Sequence, residues 1–137
     1  MAEVLLDTDI LSNLMRAHPT VVSHAKTYLA THGRLTISII TRYEILRGLR
    51  AKAATAQVVR FNELCKRSRV LELNDRIIEE AAGIYADLYN RGKIIGDADI
   101  LIAATARVHG LELNTNNRSH FGRIQGIRLV NWLEGAT

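Results

Sequence analysis

The chain has 137 residues, a hydrophobic fraction of 47%, a mean hydropathy of +0.01 and a formal net charge of +4. This length suits a single domain spanning 1–137, and this composition excludes an intrinsically disordered chain. No apolar run approaches the ~20 residues that cross a bilayer, and the first residues lack a basic segment, so neither a membrane protein nor a secreted one is expected.

The first half of the chain alternates short apolar runs with helical patterns. An apolar run that ends at polar residues predicts a buried strand, and a β-branched run predicts another. Pro19 suits a first helical turn, while Gly33 suits a helix end. The predicted elements of this half are a strand at 4–6, helices at 10–16 and 19–32, a strand at 35–40, and helices at 41–49 and 54–65.

The second half continues the alternation. A third strand is predicted at 70–73, and an amphipathic pattern at 78–89 predicts the helix that follows it. Residues 100–108 are apolar nearly all round, which predicts a buried helix, and further strands are predicted at 111–115 and 128–130. Strands that alternate with helices indicate an α/β fold, with a mostly parallel sheet of four or five strands and helices on both sides.

Acidic side chains follow several of the predicted strands. Asp7 and Asp9 follow the first strand, Glu44 lies one turn into the helix after the second, and Asp97 and Asp99 open the helix before the fourth. Since ligands of open parallel sheets bind outside the carboxyl ends of the strands, this topology can bring the acids to one edge. Each acid also has a structural explanation. Asp7 or Asp9 can cap the first helix, Thr41 and Glu44 match the capping-box pattern, and Asp97 and Asp99 suit the negative charge that a helix N-terminus favours.

The functional explanation depends on whether the acids meet. Two carboxylates ~4 Å apart repel by ~4 kcal/mol at an effective dielectric of 20, so a cluster needs raised pKa values or a divalent cation. Oxygen ligands suit Mg²⁺ or Mn²⁺ better than zinc, and the five histidines show no metal-ligand spacing. Arginine, whose planar side chain suits phosphate recognition, makes up 14 of the 18 basic residues. Together with a metal held by these acids, this suggests hydrolysis of a phosphodiester. Asp75 also follows a strand and opens a helix, which makes it a control acid.

Four sequence blocks in this order resemble those of PIN-domain ribonucleases, most closely the VapC-type toxins of type II toxin–antitoxin pairs. The blocks are LLDTDIL from position 5, SIITRYEILRG from 38, IGDADILIAA from 95 and TNNRSHF from 115. The resemblance implies a PIN-like three-layer α/β/α sandwich and metal-dependent endonucleolytic cleavage of RNA, for which tRNA and rRNA are the first substrates to consider. It also implies a cognate antitoxin and usually a homodimer. The lone cysteine, Cys65, favours a reducing cytoplasm.

The resemblance also implies roles for individual residues. Asp7, Glu44 and Asp99 match the family's three recurrent metal-binding acids, and Asp97 matches a frequent additional acid. Many relatives have a fourth acid in the last block, where this chain has none, and Asp97 is expected to compensate. The accessory positions are Thr8, Asp9, Thr41, Asn117 and His120, and the expected contacts to RNA phosphates are Arg47, Arg50 and Arg118.

Two other functions fit parts of the sequence. The Asp-x-Asp spacing of Asp7 and Asp9 is similar to that of haloacid-dehalogenase-type phosphotransferases, although Leu11 departs from their pattern, and a phospho-aspartate would identify that chemistry. A non-catalytic protein that binds RNA or an antitoxin is the other alternative, and it would lack metal-dependent cleavage. The helices predicted at 41–66 also carry apolar residues that could receive a partner helix.

Overall fold

A five-stranded parallel sheet with helices on both faces forms the computed structural model, which describes residues 2–135. The strands are β1 (Val4–Leu6), β2 (Thr36–Ser38), β3 (Arg69–Leu71), β4 (Glu112–Asn114) and β5 (Leu129–Val130). The helices are α1 (Thr8–Met15), α2 (Pro19–His32), α3 (Ile39–Ala51), α4 (Thr55–Arg67), α5 (Asp75–Asn90), α6 (Asp97–Val108) and α7 (Arg118–Phe121). The predicted α/β fold is confirmed. None of the helices in 2–135 is long and apolar enough to cross a membrane.

The central strand β1 explains the layered arrangement. Leu5 packs in a hydrophobic core with α5 and α6, whereas Val4 and Leu6 pack in a second core with α1, α2 and α4. Successive side chains of a strand point to opposite faces of the sheet, so one strand contributes to both cores. A strand buried on both faces is apolar throughout, which is why this short run predicts it.

The order of the strands, β3-β2-β1-β4-β5, places β1 between two halves of the sheet. The chain passes from β1 to β2 and β3 on one side, while β4 and β5 lie on the other. Leu6 pairs with Ile37 of β2 and with Asn114 of β4, so the residues that follow these three strands leave the sheet side by side. In parallel sheets, such a change of direction leaves a crevice at the carboxyl edge.

Two helices begin earlier than predicted because a side chain caps the first turn. α1 begins two residues earlier than predicted, since the Asp7 carboxylate accepts a hydrogen bond from the backbone N–H of Thr8. β2 ends two residues earlier than predicted, since the Ser38 hydroxyl accepts from the backbone N–H of Thr41 and begins α3. α6 extends three residues before the apolar run at 100–108 and begins at Asp97, in agreement with the prediction that Asp97 and Asp99 open it. No sequence pattern predicts the four residues of α7.

Candidate active site

Asp7 lies at the end of β1 in the middle of the crevice and is only 6% exposed. Its Oδ1 accepts a hydrogen bond from the backbone N–H of Thr8 at 2.8 Å, and its Oδ2 accepts from the Thr115 hydroxyl at 2.8 Å. Burial raises the pKa of Asp7 to about 7, the negative charges of Asp9 and Asp99 raise it as well, and the two hydrogen bonds oppose the rise. Asp7 is therefore a buried acid among other acids.

Glu44 reaches the same crevice from α3, and a hydroxyl group holds it there. The Thr8 hydroxyl donates to Glu44 Oε1 at 2.6 Å, and Thr41 Oγ1 lies 3.1 Å from Thr8 Oγ1. Because the single hydroxyl hydrogen of Thr8 goes to the carboxylate, the Thr41 hydroxyl supplies the hydrogen of the second contact. The other Glu44 oxygen lies 3.8 Å from Arg47 Nη2, a half-exposed contact that contributes little to stability.

Asp99 lies in the first turn of α6 and faces His120 of α7. His120 Nδ1 lies 3.0 Å from Asp99 Oδ2, and the two side chains are 43% and 24% exposed. Asn117 caps α7, because its Oδ1 accepts from the backbone N–H of His120, and its Nδ2 lies 3.0 Å from the same imidazole nitrogen. Asp99 therefore joins the acidic cluster with an imidazole on its outer side.

Asp9 faces the cluster from the first turn of α1. Its Oδ2 accepts from the backbone N–H of Asn116 at 3.0 Å, whereas its Oδ1 is buried and has no hydrogen-bond partner among the described residues. Its charge is the largest electrostatic contribution to the raised pKa of Asp7. A buried carboxylate oxygen without a donor is unfavourable, which indicates that this region of the cluster lacks a positive partner.

Asp97 and the arginines are less closely tied to the cluster. Asp97 is the first residue of α6 and is exposed, and it forms no hydrogen bond or ion pair with the part of the chain that is described. Arg47 lies beside Glu44 and over the ring of Tyr43, and Arg50 is exposed one turn further along α3. Arg118 forms a surface ion pair with Glu134 at 3.4 Å.

Sequence reasoning missed Thr115, the residue that follows β4. Thr115 is fully buried, donates to Asp7 Oδ2 and accepts from the backbone N–H of Asn117 at 2.9 Å. It leaves the sheet at the same edge as Asp7, so the rule that singles out the acids after the strands could have found it. A search limited to acidic residues overlooks a hydroxyl in this position.

The capping explanations of the acids are only partly correct. Asp7 does cap α1, but the predicted capping box of Thr41 and Glu44 is wrong, because Ser38 caps α3 and Glu44 bonds to Thr8. At the start of α6 no side chain caps the helix, but Asp97 and Asp99 lie in its first turn as predicted, where a helix N-terminus favours negative charge. Capping therefore leaves the meeting of Glu44 and Asp99 with Asp7 unexplained.

The donor atoms of the cluster suit a hard divalent cation. Within residues 2–135, no three acidic, histidine or cysteine side chains already form a compact set of metal ligands. Even so, these acids are carboxylates, one oxygen of Asp9 lacks any donor among the described residues, and burial together with the charges of Asp9 and Asp99 raises the pKa of Asp7. Excess negative charge on oxygen ligands is what Mg²⁺ or Mn²⁺ relieves, so the residues fit such an ion.

The chain is similar in sequence and in structure to known proteins. Residues 4–127 match the family model described as the PIN domain. Ribonuclease VapC1 of Methanocaldococcus jannaschii is 32% identical over 90% of this chain and 82% of that protein. The tRNA(fMet)-specific endonuclease VapC of Shigella flexneri is 27% identical over 96% of this chain and 99% of that protein. The crystal structure of DNA-bound VapBC from Salmonella typhimurium has a TM-score of 0.84 and 29% identity, and the match covers 96% of this chain and 99% of that one.

Proposed function

The chain belongs to the PIN-domain family, and from that premise we propose that it is a metal-dependent endoribonuclease and the toxin of a toxin–antitoxin pair. One observation carries the proposal: acids from three distant segments lie at one edge of the sheet, where Asp99 acts electrostatically on Asp7 and Glu44 is bonded to Thr8, the residue next to Asp7. The family match favours a nuclease over the phosphotransferase interpretation.

The metal centre that we propose uses Asp7, Glu44 and Asp99 as ligands for Mg²⁺ or Mn²⁺, with Asp97 as an additional acid near the entrance. A bound divalent cation supplies Lewis acidity, which makes water a better nucleophile at neutral pH and stabilises negative charge on the phosphate. Glu44 can also orient water, because Thr8 fixes one of its oxygens while the side chain stays 20% exposed.

The substrate that we propose is a structured RNA, with tRNA as the first to test. The Shigella flexneri relative is named as a tRNA(fMet)-specific endonuclease, which supports this choice. Arg47 and Arg50 are exposed on α3 next to Glu44 and can donate hydrogen bonds to phosphate oxygens. Arg118 can contribute a third contact from α7, if RNA displaces Glu134 from it. The buried free thiol of Cys65 suits the reducing cytoplasm in which such an RNA is found.

The antitoxin site that we propose is a groove of about 570 Å³ between α1, α3 and α4. Its floor is apolar and includes Leu14, Leu49 and Leu64. Its rim carries four basic residues, Arg16, Lys52, Arg60 and Arg67. An amphipathic helix with acidic side chains complements such a surface. Because Thr8 and Glu44 line one end of the groove, an occupant would also obstruct the acidic cluster.

A cleavage assay tests the proposed function. Purified protein is incubated with tRNA and with rRNA fragments in Mn²⁺ or Mg²⁺, and then in EDTA. We expect endonucleolytic cleavage that EDTA abolishes and that is lost in Asp99→Asn and Glu44→Gln. Asp75→Asn is the matched control, because Asp75 is an exposed acid in the first turn of α5 with no contact to the cluster.

The outcomes separate the alternatives. RNA binding without metal-dependent cleavage on these substrates would support the non-catalytic binder and contradict the nuclease. Cleavage that persists in Asp99→Asn, purified in the same way, would mean that the activity comes from another site or another protein. We also propose a homodimer, in line with the family resemblance, and sedimentation velocity of the isolated chain measures its mass directly.

A further inference from the structure

The segment 115–121, named here the β4–α7 loop and including the one-turn helix α7, contacts three of the acids in the cluster. The Thr115 hydroxyl contacts Asp7 Oδ2 at 2.8 Å, the backbone N–H of Asn116 contacts Asp9 Oδ2 at 3.0 Å, and His120 Nδ1 contacts Asp99 Oδ2 at 3.0 Å. The loop itself contains no acidic residue. Its part in the site is therefore different from that of the segments that supply carboxylates.

Thr115 has a fixed hydrogen-bond direction. Its oxygen accepts from the backbone N–H of Asn117 at 2.9 Å, and its hydroxyl hydrogen has the Asp7 carboxylate as acceptor. The side chain is fully buried, so water does not compete for either bond. The two bonds therefore fix the position of the Thr115 hydroxyl, and through it the orientation of the Asp7 carboxylate.

His120 acts on Asp99 in the same sense. Its Nδ1 is close both to Asp99 Oδ2 and to the amide nitrogen of Asn117, each at 3.0 Å, and one ring nitrogen can serve only one of them. A carboxylate is the stronger partner, so Nδ1–H donates to Asp99. The cap that Asn117 forms with the backbone N–H of His120 keeps the ring in place.

We propose that the β4–α7 loop positions the metal-binding carboxylates by donating hydrogen bonds to them, with Thr115 holding Asp7 and His120 holding Asp99. The inference rests on the proposed function, because it assigns Asp7 and Asp99 as metal ligands. Thr115 and His120 are positioning residues that act through the acids and contribute no ligand of their own. Partners of this kind typically change metal affinity by about 10- to 100-fold when they are removed.

The test compares Mn²⁺ affinity among variants of the full chain, measured by isothermal titration calorimetry and by the loss of the free Mn²⁺ signal in electron paramagnetic resonance. Thr115→Val removes the hydroxyl with little change of shape and should weaken Mn²⁺ binding at least about tenfold. Thr115→Ser restores a hydroxyl and should stay within about threefold of the wild type.

The matched control is Thr105→Val. Thr105 is also fully buried, and its hydroxyl donates to the backbone carbonyl of Leu101 within α6, away from the acids. It should keep the Mn²⁺ affinity of the wild type even if it melts at a lower temperature. Affinity equal to the wild type in Thr115→Val would overturn the positioning role and leave the proposed nuclease intact. A wild-type chain that binds no Mn²⁺ would overturn both.

His120 tests the same loop should Thr115→Val fail to fold. The side chain is 43% exposed, so its replacement does not open a cavity. His120→Ala should weaken Mn²⁺ binding, whereas His120→Gln, whose amide can donate to Asp99, should retain most of it. Equal affinities in the two variants would overturn the assignment of His120 as a donor to Asp99.

Discussion

Replacing Asp7 with asparagine is expected to stabilise the metal-free protein at pH 8 while it abolishes metal-dependent cleavage. The reason is that Asp7 is a buried acid next to Asp9, and its pKa is about 7 in the folded chain against an ordinary value of 3.8. Between these two pH values the folded chain binds more protons than the unfolded chain, so the free energy of unfolding falls as pH rises.

The size of the effect follows from the two pKa values. A pKa difference of one corresponds to 1.36 kcal/mol, so a difference of about three lowers the free energy of unfolding by about 4 kcal/mol between pH 4 and pH 8. Asparagine cannot ionise, so Asp7→Asn avoids this loss. It also resembles the protonated acid, because its oxygen can accept from the backbone N–H of Thr8 and its amide can donate to Thr115 Oγ1. We expect the free energy of unfolding of the variant to exceed that of the wild type by about 2–4 kcal/mol at pH 8 and to equal it at pH 4.

Urea denaturation in EDTA measures the free energy of unfolding at pH 4 and at pH 8, with the fluorescence of Trp132, the only tryptophan in the sequence, as the probe. Asp75→Asn is the control, since Asp75 is exposed and its replacement should change neither value. Adding Mn²⁺ at pH 8 should raise the stability of the wild type but not that of Asp7→Asn. A variant that is no more stable than the wild type at pH 8, or more stable by the same amount at pH 4, would refute the reasoning.

Three further predictions concern other parts of the molecule. Reversing two charges on the groove rim, Arg60→Glu with Arg67→Glu, should weaken binding of the cognate antitoxin at least about tenfold and leave tRNA cleavage unchanged. Pull-down titration measures the binding, gel assays measure the cleavage, and Lys93→Glu, outside the groove, is the control. Arg47→Ala with Arg50→Ala should weaken tRNA binding uniformly across sequences and lower its salt slope by about 2, and an unchanged slope would exclude phosphate contacts. Gly122→Ala should destabilise the chain by about 1–3 kcal/mol, because a Cβ there would lie 2.5 Å from the backbone oxygen of Arg118. Gly83→Ala in α5 should instead stabilise the chain by about 0.5–1 kcal/mol, because a Cβ at Gly83 would meet no atom within 4 Å.

The parallel sheet could be predicted because its strands are buried on both faces. β1 is an apolar run and β2 begins with the β-branched residues Thr36 and Ile37, and neither strand has an exposed side chain. The end of β2 could not be predicted in the same way. Ile39 and Ile40 favour a strand by propensity, but the Ser38 cap commits them to α3, and one side-chain hydrogen bond to the backbone outweighs a preference of a few tenths of a kcal/mol.

The site could be predicted as far as topology determines it. Parallel strands carry the residues after them to one edge, so the approach of Glu44 to Thr8, beside Asp7, follows from their place in the chain. Asp99 reaches the same edge because it begins the helix that leads back into β4. The contacts that orient them could not be predicted, because Thr115 and His120 belong to a loop and a one-turn helix with no periodic pattern. Asp97 stays a prediction, since its spacing suggests an additional ligand and its exposed side chain has no partner in the described chain.

The stability effect at Asp7 decides between the capping and the functional explanations of this residue. Asp7 does cap α1, but serine, threonine or asparagine caps a helix about as well without bringing a charge into a buried site. An ionised carboxylate in this buried position, with Asp9 beside it, lowers the free energy of unfolding by about 4 kcal/mol at pH 8. This loss is several times the ~1 kcal/mol that a helix cap contributes. A charge whose penalty exceeds its structural benefit points to a positive ligand that the chain itself does not provide. A divalent cation bound by Asp7 would remove the penalty, so the same residue that weakens the metal-free protein would stabilise the loaded one.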